Sequence, residues 1–182
     1  MPASFDPNAP IRTNRSEVVK IQSILQRLHR TIKMDKTVQE TTDNLRDFLQ
    51  TDRVVLYYFY KEWEGRVTFE SLSQERYAIL GSTGPDECFN GEYATLYLDG
   101  RVSAIADIET ADIAPCHRDF LREINVRANL VAPILTGDSQ QTLWGLLVAH
   151  HCQAPKAWTE ADIEQIKKDA SALAQASSIR VK

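Results

Sequence analysis

The chain has only three cysteines among 182 residues, no run of lysine and arginine, and no long apolar stretch. An odd cysteine count argues against a disulfide scaffold. The N-terminus, Met1 to Pro10, lacks the basic and apolar regions of a secretory signal, so free thiols in a reducing cytoplasm are expected. No segment approaches the roughly 20 apolar residues of a membrane-spanning helix. With 21 Lys and Arg against 25 Asp and Glu, the net charge is −4 and no basic stretch marks a surface for nucleic acid or anionic lipid. Cys-x-x-Cys and His-Glu-x-x-His are missing, and two adjacent histidines on a strand point to opposite faces, so no metal site is expected. A nucleophile elbow, a phosphate-binding loop and a Gly-rich dinucleotide fingerprint are missing too. There is no internal repeat and no low-complexity segment.

What is present suits a soluble globular domain: 43% hydrophobic and 25% charged residues. The length fits one domain over residues 14–182 behind a disordered, proline-rich leader at 1–13. Val18, Ile21, Leu25, Leu28 and Ile32 recur at helical spacing, which predicts an amphipathic helix from about Asn14 to Ile32. Asp35 is a candidate N-cap for a second helix presenting Val38, Leu45, Phe48 and Leu49. Val54 to Tyr60 and Val67 to Leu72 read as a hairpin. From about Gly81 to Gly100 the pattern loosens into an irregular stretch of the kind that binds ligands. A strand over Val102–Ile108 follows, then a short helix from about Cys116, and strands over Ala128–Leu135 and Leu143–Cys152, the last apolar on both faces and therefore central. Thr159-Glu160-Ala161-Asp162 is an acidic capping box that opens a helix carrying Ile163, Ile166, Ala170, Leu173, Ala174 and Val181 and running to the end of the sequence. That order predicts an α+β architecture, a central antiparallel sheet flanked by helices including N- and C-terminal helices. Helices at both ends could pair with each other or with a second copy in a homodimer.

The chemistry gathers at Cys116-His117. Pro115 keeps Ala114 extended and starts a helix, which places the thiol in a first turn, where unpaired N–H groups and the helix dipole favour a thiolate. Taken alone, the pair also reads as a small apolar residue beside a surface histidine. A second cysteine, Cys88, lies in the irregular stretch beside Asp86 and Glu87. Two such thiols suit redox exchange and ligand attachment equally well.

Asp86-Glu87-Cys88-Phe89 resembles the Asp-x-Cys-Phe signature of the dual-cysteine branch of the cyanobacteriochromes, bilin-binding GAF domains of the phytochrome superfamily. Tyr97 to Val102, Cys116-His117, Val126 to Val131 and Leu143 to His150 resemble further stretches of that family, in order, over residues 15–180. The resemblance implies a GAF domain and a non-enzymatic photoreceptor module that binds a linear tetrapyrrole, phycoviolobilin or phycocyanobilin. Cys116 would form the permanent thioether to ring A, and His117 would stack on the chromophore. Cys88 would add reversibly between rings B and C, interrupting conjugation and moving absorption to the violet or blue. Isomerisation of the bridge between rings C and D would then give a green- or teal-absorbing state. Asp86 would lie near the pyrrole nitrogens, Arg101 would meet a propionate, and His150 would lie near ring D. Many relatives carry Tyr-Arg-Phe where this chain has Tyr57-Tyr58-Phe59, so one basic residue is missing. The resemblance also implies an output domain in a longer signalling chain. Two other readings are a GAF-type free methionine sulfoxide reductase and a small-ligand-binding GAF module.

Overall fold

The computed structural model describes residues 15–61, 64–84, 91–137 and 141–180. Two helices come first, α1 (Arg15–Lys33) and α2 (Lys36–Leu49), followed by strands β1 (Arg53–Lys61) and β2 (Glu64–Leu72). Next come helix α3 (Gly91–Leu98), the short strand β3 (Ser103–Ile105) and helix α4 (Pro115–Glu123). Strands β4 (Ala128–Thr136) and β5 (Thr142–His151) and helix α5 (Glu160–Leu173) complete the order. Among the described residues the five strands form one sheet in the order β2-β1-β5-β4-β3, every pair antiparallel. The expected α+β architecture is the one observed, and β5 is its central strand.

Strand alternation sends two sets of side chains to opposite faces of this sheet. Val54, Leu56, Leu130, Ala132, Leu147 and Ala149 join Val38, Leu45 and Leu49 of α2 and Ile166, Ala170 and Leu173 of α5 in the main core. Val55, Val67, Val131, Leu146 and Val148 face the other way and pack with Tyr97 of α3. A sheet covered on both faces explains why β5 is apolar without alternation. Ile105, Ile108, Leu121 and Val126 form a third cluster where α4 meets the segment after β3.

The helix starts follow the capping signals. The Asp35 carboxylate accepts from the backbone N–H groups of Thr37 at 3.0 Å and Val38 at 3.4 Å. Thr159 and Asp162 form the reciprocal capping box of α5. Gln50 ends α2 in the left-handed region at φ 50°.

Five expectations are corrected. The stretch expected to be irregular contains α3, an eight-residue helix whose register buries Ala94 and Tyr97; so short a helix leaves little periodicity to read. The strand expected over 102–108 shrinks to Ser103–Ile105, because the Ile108 N–H turns to the Arg127 carbonyl and Asp107 closes a turn onto the Glu109 N–H. Helix α5 stops at Leu173, and the chain then folds back so that Ser178 N–H meets the Asp35 carboxylate at 3.2 Å. Phe48, expected on the buried stripe, is 52% exposed. The helix paired with α5 is α2 rather than the outermost α1.

Candidate ligand-binding site

Between the second face of the sheet and the covering elements α3 and α4 lies a cavity of about 400 Å³. Its floor is Val55, Tyr57, Val67, Val131, Leu146 and Val148, and its walls include Ile79, Tyr97, Ile113 and Phe120. A mostly apolar chamber of this size with a few polar groups is the usual form of a small-molecule site. The polar groups here include Arg101, Asp112, His117, Asn129 and His150, with the Tyr57 phenol.

Helix α4 sets one wall. Pro115 occupies its first turn and Ala114 its N-cap, with no side chain capping the first N–H groups. The Arg118 guanidinium clamps that end by donating to the carbonyls of Ile108 at 2.8 Å and Ala111 at 2.7 Å. Cys116 is exposed, between Ala114 and His117, which both line the cavity. The structure places Cys116 in a disulfide, which corrects the expectation of a free thiol there; attachment of a ligand at this sulfur requires its reduction first. Burial lowers the pKa of His117 below its ordinary value, so at neutral pH it is an uncharged ring facing the cavity. It can stack or exchange a hydrogen bond, but it gives the thiol no imidazolium partner.

His150 closes the far end. It is 4% exposed, and its Nδ1 accepts from Arg53 Nε at 2.8 Å. Burial first, then the Arg53 charge, then repulsion from His117 where that ring is itself protonated, hold its pKa well below the ordinary histidine value. Arg53 is fully buried and donates to two carbonyls besides, Tyr77 at 2.8 Å and Ile124 at 2.7 Å. Asn129, also buried, has a side-chain oxygen with no hydrogen-bond partner among the described residues.

Three of the expected site residues therefore line one chamber: His117 and His150 in its walls and Arg101 at its exposed edge. Cys116 sits beside it. Asp86 and Cys88 fall outside the described residues. His151 turns away from the cavity, its Nδ1 within hydrogen-bond distance of the Ala154 carbonyl at 2.8 Å. Cys152 is a free thiol outside the cavity lining, with its pKa pushed up to about 11 chiefly by burial. Sequence reasoning missed Arg53, Asn129 and Tyr57. The signal for Arg53 was a charged residue directly before the apolar run Val54-Val55-Leu56, a charge that burial obliges the fold to satisfy.

Residues 33–176 match the GAF domain family, and the chain belongs to it. A protein of Picosynechococcus sp. is 50% identical over 154 residues, covering 85% of this chain and 93% of that protein. A putative methyl-accepting chemotaxis protein of Synechocystis sp. is 34% identical over 79% of this chain, which spans only 14% of that protein. Among solved structures, the blue-light-absorbing form of the Thermosynechococcus elongatus PixJ GAF domain is 32% identical, with a TM-score of 0.66 and 88% of each chain covered. The phycocyanobilin-bound GAF domain of a cyanobacterial phytochrome is 27% identical, with a TM-score of 0.64, covering 85% of this chain and 94% of that one. These solved relatives are sensory GAF domains rather than enzymes, so the sulfoxide reductase reading is set aside. Among the described residues no helix is long and apolar enough to cross a membrane.

Proposed function

We propose that residues 14–182 form a photoreceptor GAF domain of the dual-cysteine cyanobacteriochrome branch, carrying phycoviolobilin or phycocyanobilin on Cys116. The observation that carries this reading is the apolar cavity of about 400 Å³ that runs from the first turn of α4 to the buried His150. Its chemistry fits a long, conjugated, largely apolar ligand with polar edges. The neutral ring of His117 offers a stacking surface next to the attachment sulfur. Arg101, exposed at the cavity edge, suits a propionate reaching solvent.

In this reading a thiol reductant first frees Cys116 from its disulfide, and the thiol would then add to ring A; one S–C bond forms and the thiol proton passes to the ligand, so the addition itself changes no oxidation state. The uncapped first turn of α4 stabilises the thiolate that this addition requires. Cys88 adds reversibly between rings B and C, with Asp86 taking and returning its proton. A bound bilin supplies the light-driven isomerisation of its C–D bridge, which switches the domain between violet/blue- and green/teal-absorbing states.

The test is co-expression with a phycocyanobilin source and purification under reducing conditions. Zinc-enhanced fluorescence on a denaturing gel, lost in Cys116→Ala, and a reversible shift between the two bands on blue illumination are expected. A chain that takes up no covalent bilin overturns the reading.

A further inference from the structure

Arg53, His150 and Asn129 occupy one row across three neighbouring strands. Arg53 on β1 is the register partner of His150 on β5, and Asn129 on β4 is its partner on the other side. His150 and Asn129 line the same cavity. We infer that Arg53 is a positioning residue that fixes His150 as the tautomer protonated on Nε2, leaving that nitrogen as a donor toward the cavity.

The tautomer follows from the donor inventory. A guanidinium N–H only donates, so the 2.8 Å contact from Arg53 Nε makes His150 Nδ1 an acceptor. A neutral imidazole carries one proton, which is then on Nε2. Protonating Nδ1 would set an N–H against an N–H inside a buried site, next to a cation that stays charged. Arg53 cannot swing away to relieve that clash, because its two terminal nitrogens are held by the carbonyls of Tyr77 and Ile124. The ring is thereby fixed in orientation as well as in protonation, and Nε2 is the nitrogen left for the cavity.

What the fixed donor does to a ligand rests on the bilin reading above; the tautomer does not depend on it.

The test has two arms. Nitrogen-15 NMR of the histidine side chains of the chain without bilin reads the tautomer directly, with His150 assigned by loss of its signals in His150→Gln. A neutral ring protonated on Nε2 is expected; a ring protonated on Nδ1 or on both nitrogens overturns the inference without need of any Arg53 variant. In the bilin-loaded chain, Arg53→Met is expected to shift the absorption band. His150→Gln keeps an amide donor near the place of Nε2 without a tautomer to set, so Arg53→Met should shift the band little in that background. An equal shift in both backgrounds makes Arg53 merely structural and overturns its positioning role. If the parental chain takes up no bilin, the proposed function fails, while the NMR arm still decides the tautomer.

Discussion

The Tyr57 hydroxyl accepts a hydrogen bond from the Gly84 N–H at 2.9 Å, so the segment leading toward Cys88 is tied to the cavity floor. The approach is close enough that a Cβ on Gly84 would stand 2.7 Å from the phenol oxygen. Tyr57→Phe removes the acceptor and leaves a part-buried N–H without it. The expected cost is about 1 kcal/mol, which for a domain of this size lowers Tm by about 2–4 °C. In the loaded chain the same change should speed or slow thermal return from the photoproduct while leaving covalent attachment intact. Unchanged stability in urea titrations would show that the tie contributes nothing.

Cys88→Ala separates the two thiols. If Cys116 alone holds the bilin, the variant keeps its zinc fluorescence but loses the violet/blue band and absorbs only at longer wavelength. Survival of the short-wavelength state in Cys88→Ala defeats the second-linkage part of the proposal and leaves the attachment part standing.

Much of the scaffold was legible because its signals are local. Asp35, Thr159 and Asp162 announce helix starts through their own side chains, and β5 announces its central place by being apolar on both faces. The helix start at Cys116 was legible from Pro115. What was not legible depends on partners distant in sequence. Arg53 acquires its role only when the sheet register sets it beside His150, 97 residues away. Asn129 reads as an ordinary polar residue in a strand until its neighbours bury it. The end of α5 was missed because Ala174 and Ala176 suit a helix as well as the turns that replace it; the return is held by Ser178 reaching Asp35, a long-range contact.

The two histidines of the cavity give a pH dependence whose sign is fixed. His117 is depressed by burial, and His150 by burial, the Arg53 charge and His117. A histidine whose folded pKa lies below its unfolded value, near ~6.5, contributes its full stability above that value. Protons then bind the unfolded chain more readily, and the contribution is lost as pH falls from the unfolded toward the folded pKa. Urea titrations should therefore show stability falling below about pH 6.5. The fall should be shallower in His150→Gln. A pH profile identical in the parental chain and the variant would show that His150 does not titrate between the two states.

Gly145 tests the sheet beneath the cavity. It sits on the central strand between Tyr58 of β1 and Ile134 of β4. A Cβ there would fall 2.0 Å from the Tyr57 carbonyl oxygen and 3.2 Å from Tyr58 Cα. Those atoms are backbone, and β1 cannot retreat because β2 holds its other edge. Gly145→Ala should therefore cost at least the ~1–3 kcal/mol of overpacking. Gly81 is the control: its φ of 84° makes a side chain strained, yet an added Cβ there meets nothing within 4 Å. Gly81→Ala should cost only about 1 kcal/mol through the backbone. Urea titrations of the two variants decide whether steric contact or backbone freedom governs the glycine at 145. If Gly145→Ala is the milder of the two, β1 and β5 can part at Tyr57, and the cavity floor is softer than this packing implies.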